Sequence, residues 1–539
     1  MKRLRPITSV LVTSLIVASC GGGDDGASNA VDTSGSAAPS EAPSSPSDSR
    51  TTGSAAAVAT DPVDAVDGGT FRWGTTTIPA TMDPSLAGSD AHVAYFLPVY
   101  ENLIRADADG ELVPGLAEEW SLSTDGLTFD LTLRDGVTFH DGTPVDAAAV
   151  VANIEHSKAE GSLLAPVLAV VDTAEAIDET NVRFTLTRPG GDLPEILRGY
   201  AGMMASPASI AGGTLSTEPV GAGPFTVTAI TDTTVTYERW DDYWDVDSIH
   251  LDGMEVTVMT DDIARLNALR SGQLDGTFIR PNQAAEAEAA GLLTETGPRV
   301  FTYGIYLNPA SPEFTDPDVR RAISLAVDRP SIESFLYDDR CTPAAQLFPP
   351  EYWAYNDEID DEAYMAYDPE AARALLAEAA PDGLRFTLTT ATITNYQRLA
   401  EVLQDQFGQI GVEVEVEAID SNDLAARVRA GEYSATVSAL YAANPDPAAY
   451  AAQYYVAGPG STEYIVPELE GSVEASRLTI DRDERANAIG EISAEVLDAG
   501  TPIVAVCIPD IVFAYREGVS GLQVPLLGNY DFRDVAVAG

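Results

Sequence analysis

The chain has 539 residues, 84 of them acidic and 30 basic, for a formal net charge of -54. An acid excess of that size excludes nucleic acid and an anionic bilayer as binding surfaces, because both would repel it. The acids are spread along the chain and not gathered in one tail, which indicates a salt-adapted, solvated surface.

The first residues fix a location. Lys2, Arg3 and Arg5 precede an apolar run over 10–17, broken by Thr13 and Ser14 and followed by Val17-Ala18-Ser19-Cys20 and three glycines. This is the layout of a secretory signal, and the run is too short to span a bilayer. It resembles the lipobox of bacterial lipoproteins, which implies a signal peptide over 1–19 and lipidation of Cys20. The alternative is an ordinary signal peptide with an incidental cysteine. Residues 20–66 are Gly, Ser, Ala, Pro, Asp and Thr with almost no large apolar side chains, so the expectation is a disordered tether. Its r.m.s. reach is about 35–40 Å. A folded body on such a leash would sit outside the cytoplasm, held to a bacterial membrane through the lipid alone, on the outer face of the cell membrane or in the periplasm.

About 470 residues follow, enough for two or three domains. A strand is predicted over 70–74 and a helix over 91–103. Alternating apolar residues from Leu127 to Leu133, resuming at Val137 and Phe139 after Asp135-Gly136, predict a hairpin. A helix is expected over 145–158, a strand over 182–187, a hairpin over 225–230 and 235–239, a strand over 255–259 and a helix over 261–270. Beyond residue 300 the pattern becomes a βαβ run. Helices are predicted over 318–327, 369–379, 397–410 and 424–429, with strands over 385–390, 412–416 and 435–440. The body is therefore α/β, richer in β in its first part. Cys341 and Cys507 either form a disulfide or are two buried thiols. Four histidines, and no CxxC, HExxH, P-loop or GxSxG pattern, leave no catalytic residue, metal or cofactor to assign.

Several blocks resemble one family, the extracellular solute-binding proteins of ABC transporters in the dipeptide/oligopeptide group, family 5. They are 112–120 (LVPGLAEEW), 125–129 (DGLTF), 133–144 (LRDGVTFHDGTP), 221–225 (GAGPF) with 242–244 (DYW), 306–308 (YLN), 319–323 (VRRAI) with 328–329 (DR), 367–371 (YDPEA) and 444–447 (NPDP). The resemblance implies a two-lobed periplasmic-binding-protein-like α/β fold. A hinge would join the lobes, and lobe I would carry an extra β-rich subdomain. Lobe I would run over 67–305 and 505–539 and lobe II over 306–504, with the chain crossing near 303–308 and returning near 504–511. Most motif residues should hold the fold. Asp135-Gly136 and Asp141-Gly142 are turns, His140 is a structural hydrogen-bonder, Gly221–Pro224 permits close packing, and Trp120, Trp240 and Trp244 are core. Arg320 or Arg321 would pair with an acid or face solvent.

In peptide-binding relatives an Asp three residues before the Asp-Pro pair captures the ligand's α-ammonium, and the matching position here is Ala443. Tyr441 and Ser421 match places where relatives contact the ligand, with Asn444 and Asp446 beside them. Asp446 is equally placed to cap the turn before Pro447. Tyr95, Tyr303, Tyr396 and Tyr530 are further candidates, each as well suited to the core. The expected function is a monomeric, lipid-anchored receptor that captures a peptide or peptide-like solute and delivers it to an ABC permease. The alternatives are a non-peptide solute (an oligosaccharide, an opine or a metal chelate), a sensor uncoupled from transport, and, least supported, a hydrolase.

Overall fold

The computed structural model describes residues 67–87, 92–359, 361–440, 446–449, 451, 469–528 and 530–538. Cys20, the tether, Tyr441, Ala443 and Asn444 lie outside them. Among the described residues, no helix is long and apolar enough to cross a membrane.

Two large sheets organise the body. The first has seven strands, in the order Phe225–Ile230, Thr234–Arg239, Gly253–Val258, Thr70–Thr75, Gly276–Ile279, Ile511–Tyr515 and Leu293–Gly297. Thr70–Thr75 lies parallel to both of its neighbours. Its Phe71 and Trp73 are buried against Phe513 and Phe532, with Trp73 5.1 Å from Phe513 and 5.3 Å from Phe532, ring centre to ring centre. Pairing of the first strand with C-terminal aromatic residues makes this lobe discontinuous in sequence. A buried carboxylate adds to that tie. Burial alone would raise Glu101, but Arg105 at 2.6 Å and Arg533 at 3.4 Å hold it down at about 2.

A four-stranded antiparallel sheet extends this lobe, ordered Ala117–Leu122, Thr128–Leu133, Asn181–Leu186, Val171–Ala176. Phe129, Leu131 and Leu133 alternate inward, as their period of two requires. Helix Ala147–Ser157 covers them, and the Asp146 carboxylate accepts from the Ala149 N–H at its start. Two expectations need correction. Thr128–Leu133 pairs with Ala117–Leu122 and Asn181–Leu186 and not with 137–139, which instead enter a tight Asp-Gly turn closed by a Thr138–Pro144 bridge. The helix expected over 91–103 is only Val93–Phe96 among the described residues. Pro98 cannot supply the next N–H, and Glu101–Asn102 is already a strand beside Met203–Met204.

The turns keep the predicted chemistry, with Gly136 at φ +76° and Gly142 at φ +79°. Gly221 and Gly223 press on the backbone at Val99, where a Cβ would lie 2.1 Å and 2.6 Å from it. His140 Nε2–H donates to the Gly223 carbonyl at 2.9 Å, while Nδ1 accepts from Gly221 N–H at 3.4 Å. These bonds fix one neutral tautomer, and burial lowers its pKa from 6.5 to about 4. Trp240 stands edge-on to that ring, and Trp244 lies under Arg134.

The second sheet has six strands, ordered Cys341–Pro343, Ile503–Pro509, Thr302–Leu307, Ala435–Leu440, Arg385–Ala391, Glu413–Ile419. The last three are mutually parallel in the βαβ manner. Helix Thr394–Gln409 buries Leu399, Leu403 and Phe407 on the sheet and stops at Ile410-Gly411. Arg320 is buried and donates to the Gly500 carbonyl at 2.7 Å and the Phe314 carbonyl at 2.8 Å, while Arg321 faces solvent. Cys341 and Cys507 are joined by a disulfide, with their Cα atoms 5.4 Å apart.

The bond closes a loop of 166 residues. Replacing both cysteines by alanine is expected to cost about 3–5 kcal/mol of unfolding free energy. A melting curve unchanged by reductant would contradict the bond. For His140, the unfolded chain takes up a proton near 6.5 and the folded chain only near 4. The unfolded state therefore binds more protons in that window, so this contribution to stability is complete above it and is lost as the pH falls through it. The stability difference between the wild type and His140→Gln should shrink by about 2–3 kcal/mol from pH 7.5 to 4.5. A constant difference would show that the ring is not held neutral.

Candidate solute cleft

The two sheets are joined at residues 297–302 and 509–511, where strand pairs pass from one sheet into the other. Gly297 stands beside Ile511 in the first sheet, and Tyr303 beside Cys507 in the second. Register places these crossings. In the first sheet the parallel strands end at Thr75, Val258 and Ile279, and Ile279 pairs with Val512 next to the crossing. In the second they end at Ala391, Ile419 and Leu440, and Leu440 pairs with Thr302 at the other side of it. Each sheet thus turns the carboxyl ends of its parallel strands towards the junction. Ligands of open α/β sheets bind outside such ends, where loops carry side chains free of sheet pairing.

The candidates divide accordingly. Tyr303, Tyr396 and Ser421 come to one edge of the second sheet. Tyr303 is the second residue of Thr302–Leu307, Tyr396 lies in the first turn of the helix after Ala391, and exposed Ser421 opens helix Ser421–Ala430 after Ile419. Tyr441 and Asn444 follow Leu440 in sequence, outside the described residues. Tyr303 stacks on Tyr337 at 5.4 Å and meets Tyr396 edge-on at 5.7 Å. Burial raises the phenol of Tyr303, opposed by a bond with Asn395 and by the Arg280 guanidinium.

Three candidates lie elsewhere. Tyr95 is wholly buried in the first lobe and donates to the Thr77 carbonyl at 3.1 Å, so it offers no surface to a solute. Tyr530 packs in the aromatic core, stacked on Phe513 at 5.5 Å. Asp446 is fully buried in an ion pair with Arg485, and its carboxylate accepts from Ala449 N–H at 3.0 Å. Burial raises this carboxyl and Arg485 opposes it. Asp446 is an internal strut and cap.

Two residues at this edge were not anticipated. Tyr337 completes the aromatic cluster. Arg280 follows strand Gly276–Ile279 directly, is ion-paired with Asp262 and lies close enough to act on Tyr303 from the first lobe. Aromatic faces with a guanidinium opposite can hold a polar organic solute through stacking and one anionic group. Among the described residues there is no cluster of metal-binding side chains.

The profile described as bacterial extracellular solute-binding proteins, family 5 Middle, matches residues 111–462. The glutathione-binding protein GsiB of Salmonella paratyphi A is 27% identical over 477 residues, covering 84% of this chain and 92% of its own. Among solved structures, the fold resembles Helicobacter pylori DppA in complex with the peptide STSA, at TM-score 0.76 and 21% identity over 88% of this chain and 99% of that one. It also resembles AgaA of A. tumefaciens R10 in complex with agropinic acid, at TM-score 0.75 and 24% identity over 87% and 99%. The chain belongs to the bacterial extracellular solute-binding proteins of family 5.

Proposed function

We propose that this chain is a lipid-anchored receptor outside the cytoplasm that captures a peptide or peptide-like solute between its lobes and delivers it to an ABC import permease. The observation that carries the reading is the meeting of both carboxyl edges at the two strand crossings. That arrangement offers a solute two walls and offers the walls a hinge. Tyr303, Tyr396 and Ser421 are assigned to the second wall, with Tyr441 and Asn444 next to them, and Arg280 to the first. Cys20 is the lipid anchor, residues 1–19 are removed as its signal, and 20–66 are the tether. The lobes divide at the two crossings, 297–302 and 509–511, and not at 305 and 504 as read from sequence, and the protein acts as a monomer without cofactor or catalytic step.

A second reading has its own support. The carboxylate that would hold a free α-ammonium is replaced at Ala443, and an ammonium buried without a partner costs several kcal/mol by order of magnitude. A solute lacking that group, such as an opine, an oligosaccharide or a metal chelate, avoids the cost. AgaA, whose structure holds agropinic acid, is a relative in fold. A sensor uncoupled from import would bind in the same way and would be separated from a receptor by uptake assays in cells.

The test is a thermal-shift screen of the chain carrying Cys20→Ala, which keeps it off the membrane. Probes are glutathione, di- to octapeptides, N-acetylated peptides, oligosaccharides, agropinic acid and nickel–histidine. A specific solute at 100 times its Kd should add about 2.7 kcal/mol of stability. Stabilisation by free peptides supports the first reading, and stabilisation only by blocked or non-peptide probes supports the second. A hit whose effect survives Tyr303→Ala and Ser421→Ala together would contradict the assigned wall.

A further inference from the structure

The lobes also meet at a buried polar contact. On the first lobe it is formed by Gly110, Glu111 and the segment from Gly191 into helix Leu193–Leu197, which packs on the β-rich core through Leu193, Ile196 and Leu197. On the second lobe it is formed by residues 477–482, leading into helix Arg482–Asp498, whose Ile489, Ile492 and Val496 are core. Gly191 N–H donates to the Arg477 carbonyl at 2.7 Å, one backbone directly on the other. Arg482 donates to the Gly110 carbonyl at 2.6 Å and to Glu195 at 3.3 Å, and lies 2.5 Å from Glu111. Arg477 stands 3.8 Å from Asp192.

We infer that this contact is a latch that holds the lobes closed before any solute arrives, with Arg482 as its mobile member. The inference rests on the solute-capture reading for its purpose, though not for its test. The charges are arranged for reversible use. Asp192 and Glu195 are each 1% exposed, yet each has a partner in its own lobe: Arg188 for Asp192 and Arg198 for Glu195, both at 2.7 Å. Opening therefore strands neither acid in a dry site, which would otherwise be the dominant penalty. Arg482, by contrast, reaches across to three acceptors of the first lobe. On opening it exchanges them for water, and its side chain, 18% exposed, already reaches the surface in part. Salt should weaken such a contact without abolishing it.

A second buried pair lies beside the latch. Arg485 is one helical turn after Arg482 and holds the buried Asp446, which follows 441–445 in sequence. Both guanidiniums lie over the Trp353 ring, at 5.2 Å and 5.4 Å from its centre. One helix turn thus carries both Arg482 of the latch and Arg485, which holds the buried Asp446. Arg482 is a positioning residue in this scheme.

Gly191 allows a test that changes no charge. A Cβ there would lie 2.0 Å from the Thr479 carbonyl oxygen and 2.8 Å from that of Arg477, both in the opposite lobe, so Gly191→Ala should act as a wedge. Spin labels would be placed on the full chain at exposed Asp178 in the first lobe and Glu432 in the second, and their distance distribution recorded without solute. The wild type should give one dominant short population at low salt. Gly191→Ala and Arg482→Gln should each move half or more of the molecules to a longer distance. Arg482→Lys should restore part of the short population, since it keeps the charge and loses the fork. Unchanged circular dichroism identifies folded variants, and Arg482→Lys supplies a mild one if Arg482→Gln does not fold. A wild-type distribution already as long as the variants', or a Gly191→Ala distribution superimposed on the wild type's, overturns the latch. Neither outcome bears on the solute screen, which reads stability and not lobe spacing.

Discussion

The proposed solute site depends on two places where the chain passes from one sheet to the other. Thr302–Leu307 and Ile503–Pro509 lie side by side, with Leu293–Gly297 and Ile511–Tyr515 paired just beyond them. Because these pairings are antiparallel, both crossings fall at the same end of each sheet. Because the flanking strands are parallel, that end is also their carboxyl end. The cleft is therefore placed by hydrogen-bond register before any side chain is considered. The Cys341–Cys507 disulfide then pins the edge strand beside the return crossing. Two short backbone crossings concentrate bending in few dihedrals, which is the usual construction of a hinge.

The two lobes handle charge differently from the surface around them. Excess acid keeps the exterior hydrated, whereas among the described residues buried Asp83 is met by His156 and the other buried acids by arginine. Glu101 is held by Arg105 and Arg533, Asp275 by Arg72 at 2.6 Å, and Asp446 by Arg485. Arginine suits these places because its planar fork satisfies both carboxylate oxygens and stays charged when buried. The interlobe contact uses the same chemistry at a surface that can part, and reversibility there comes from giving each of its buried acids, Asp192 and Glu195, a second arginine at home.

Much of the fold was legible because local periodicity and end signals agree with tertiary structure in the second lobe. Asp368-Pro369 opens helix Pro369–Ala379 and Gly411 follows helix Thr394–Gln409, as read from sequence. The failures have physical causes. The apolar spacing over 91–103 suits a helix until Pro98 withdraws a donor, and the segment is then recruited as a strand by Met203–Met204. Strand Thr128–Leu133 found its partner upstream because 137–139 are consumed by a turn. At the cleft, Ser421 came from the family resemblance, and Tyr303 and Tyr396 were read on the same footing as Tyr95 and Tyr530. Tyr95 and Tyr530 could not be told from core, since a tyrosine fills a core as readily as it lines a site. Arg280 and Tyr337 depend on which strands pair across long stretches of sequence, and local patterns do not carry that information.

The measurement that tests the central claim most directly is the hydrogen-exchange footprint of the first solute to emerge from the screen. A solute held between the two carboxyl edges should protect the loops after strands Thr70–Thr75, Gly276–Ile279, Arg385–Ala391 and Glu413–Ile419 together, near 76–79, 280–283, 392–396 and 420–424. Protection in one lobe alone, or on faces remote from the strand crossings, would contradict a cleft built at the hinge.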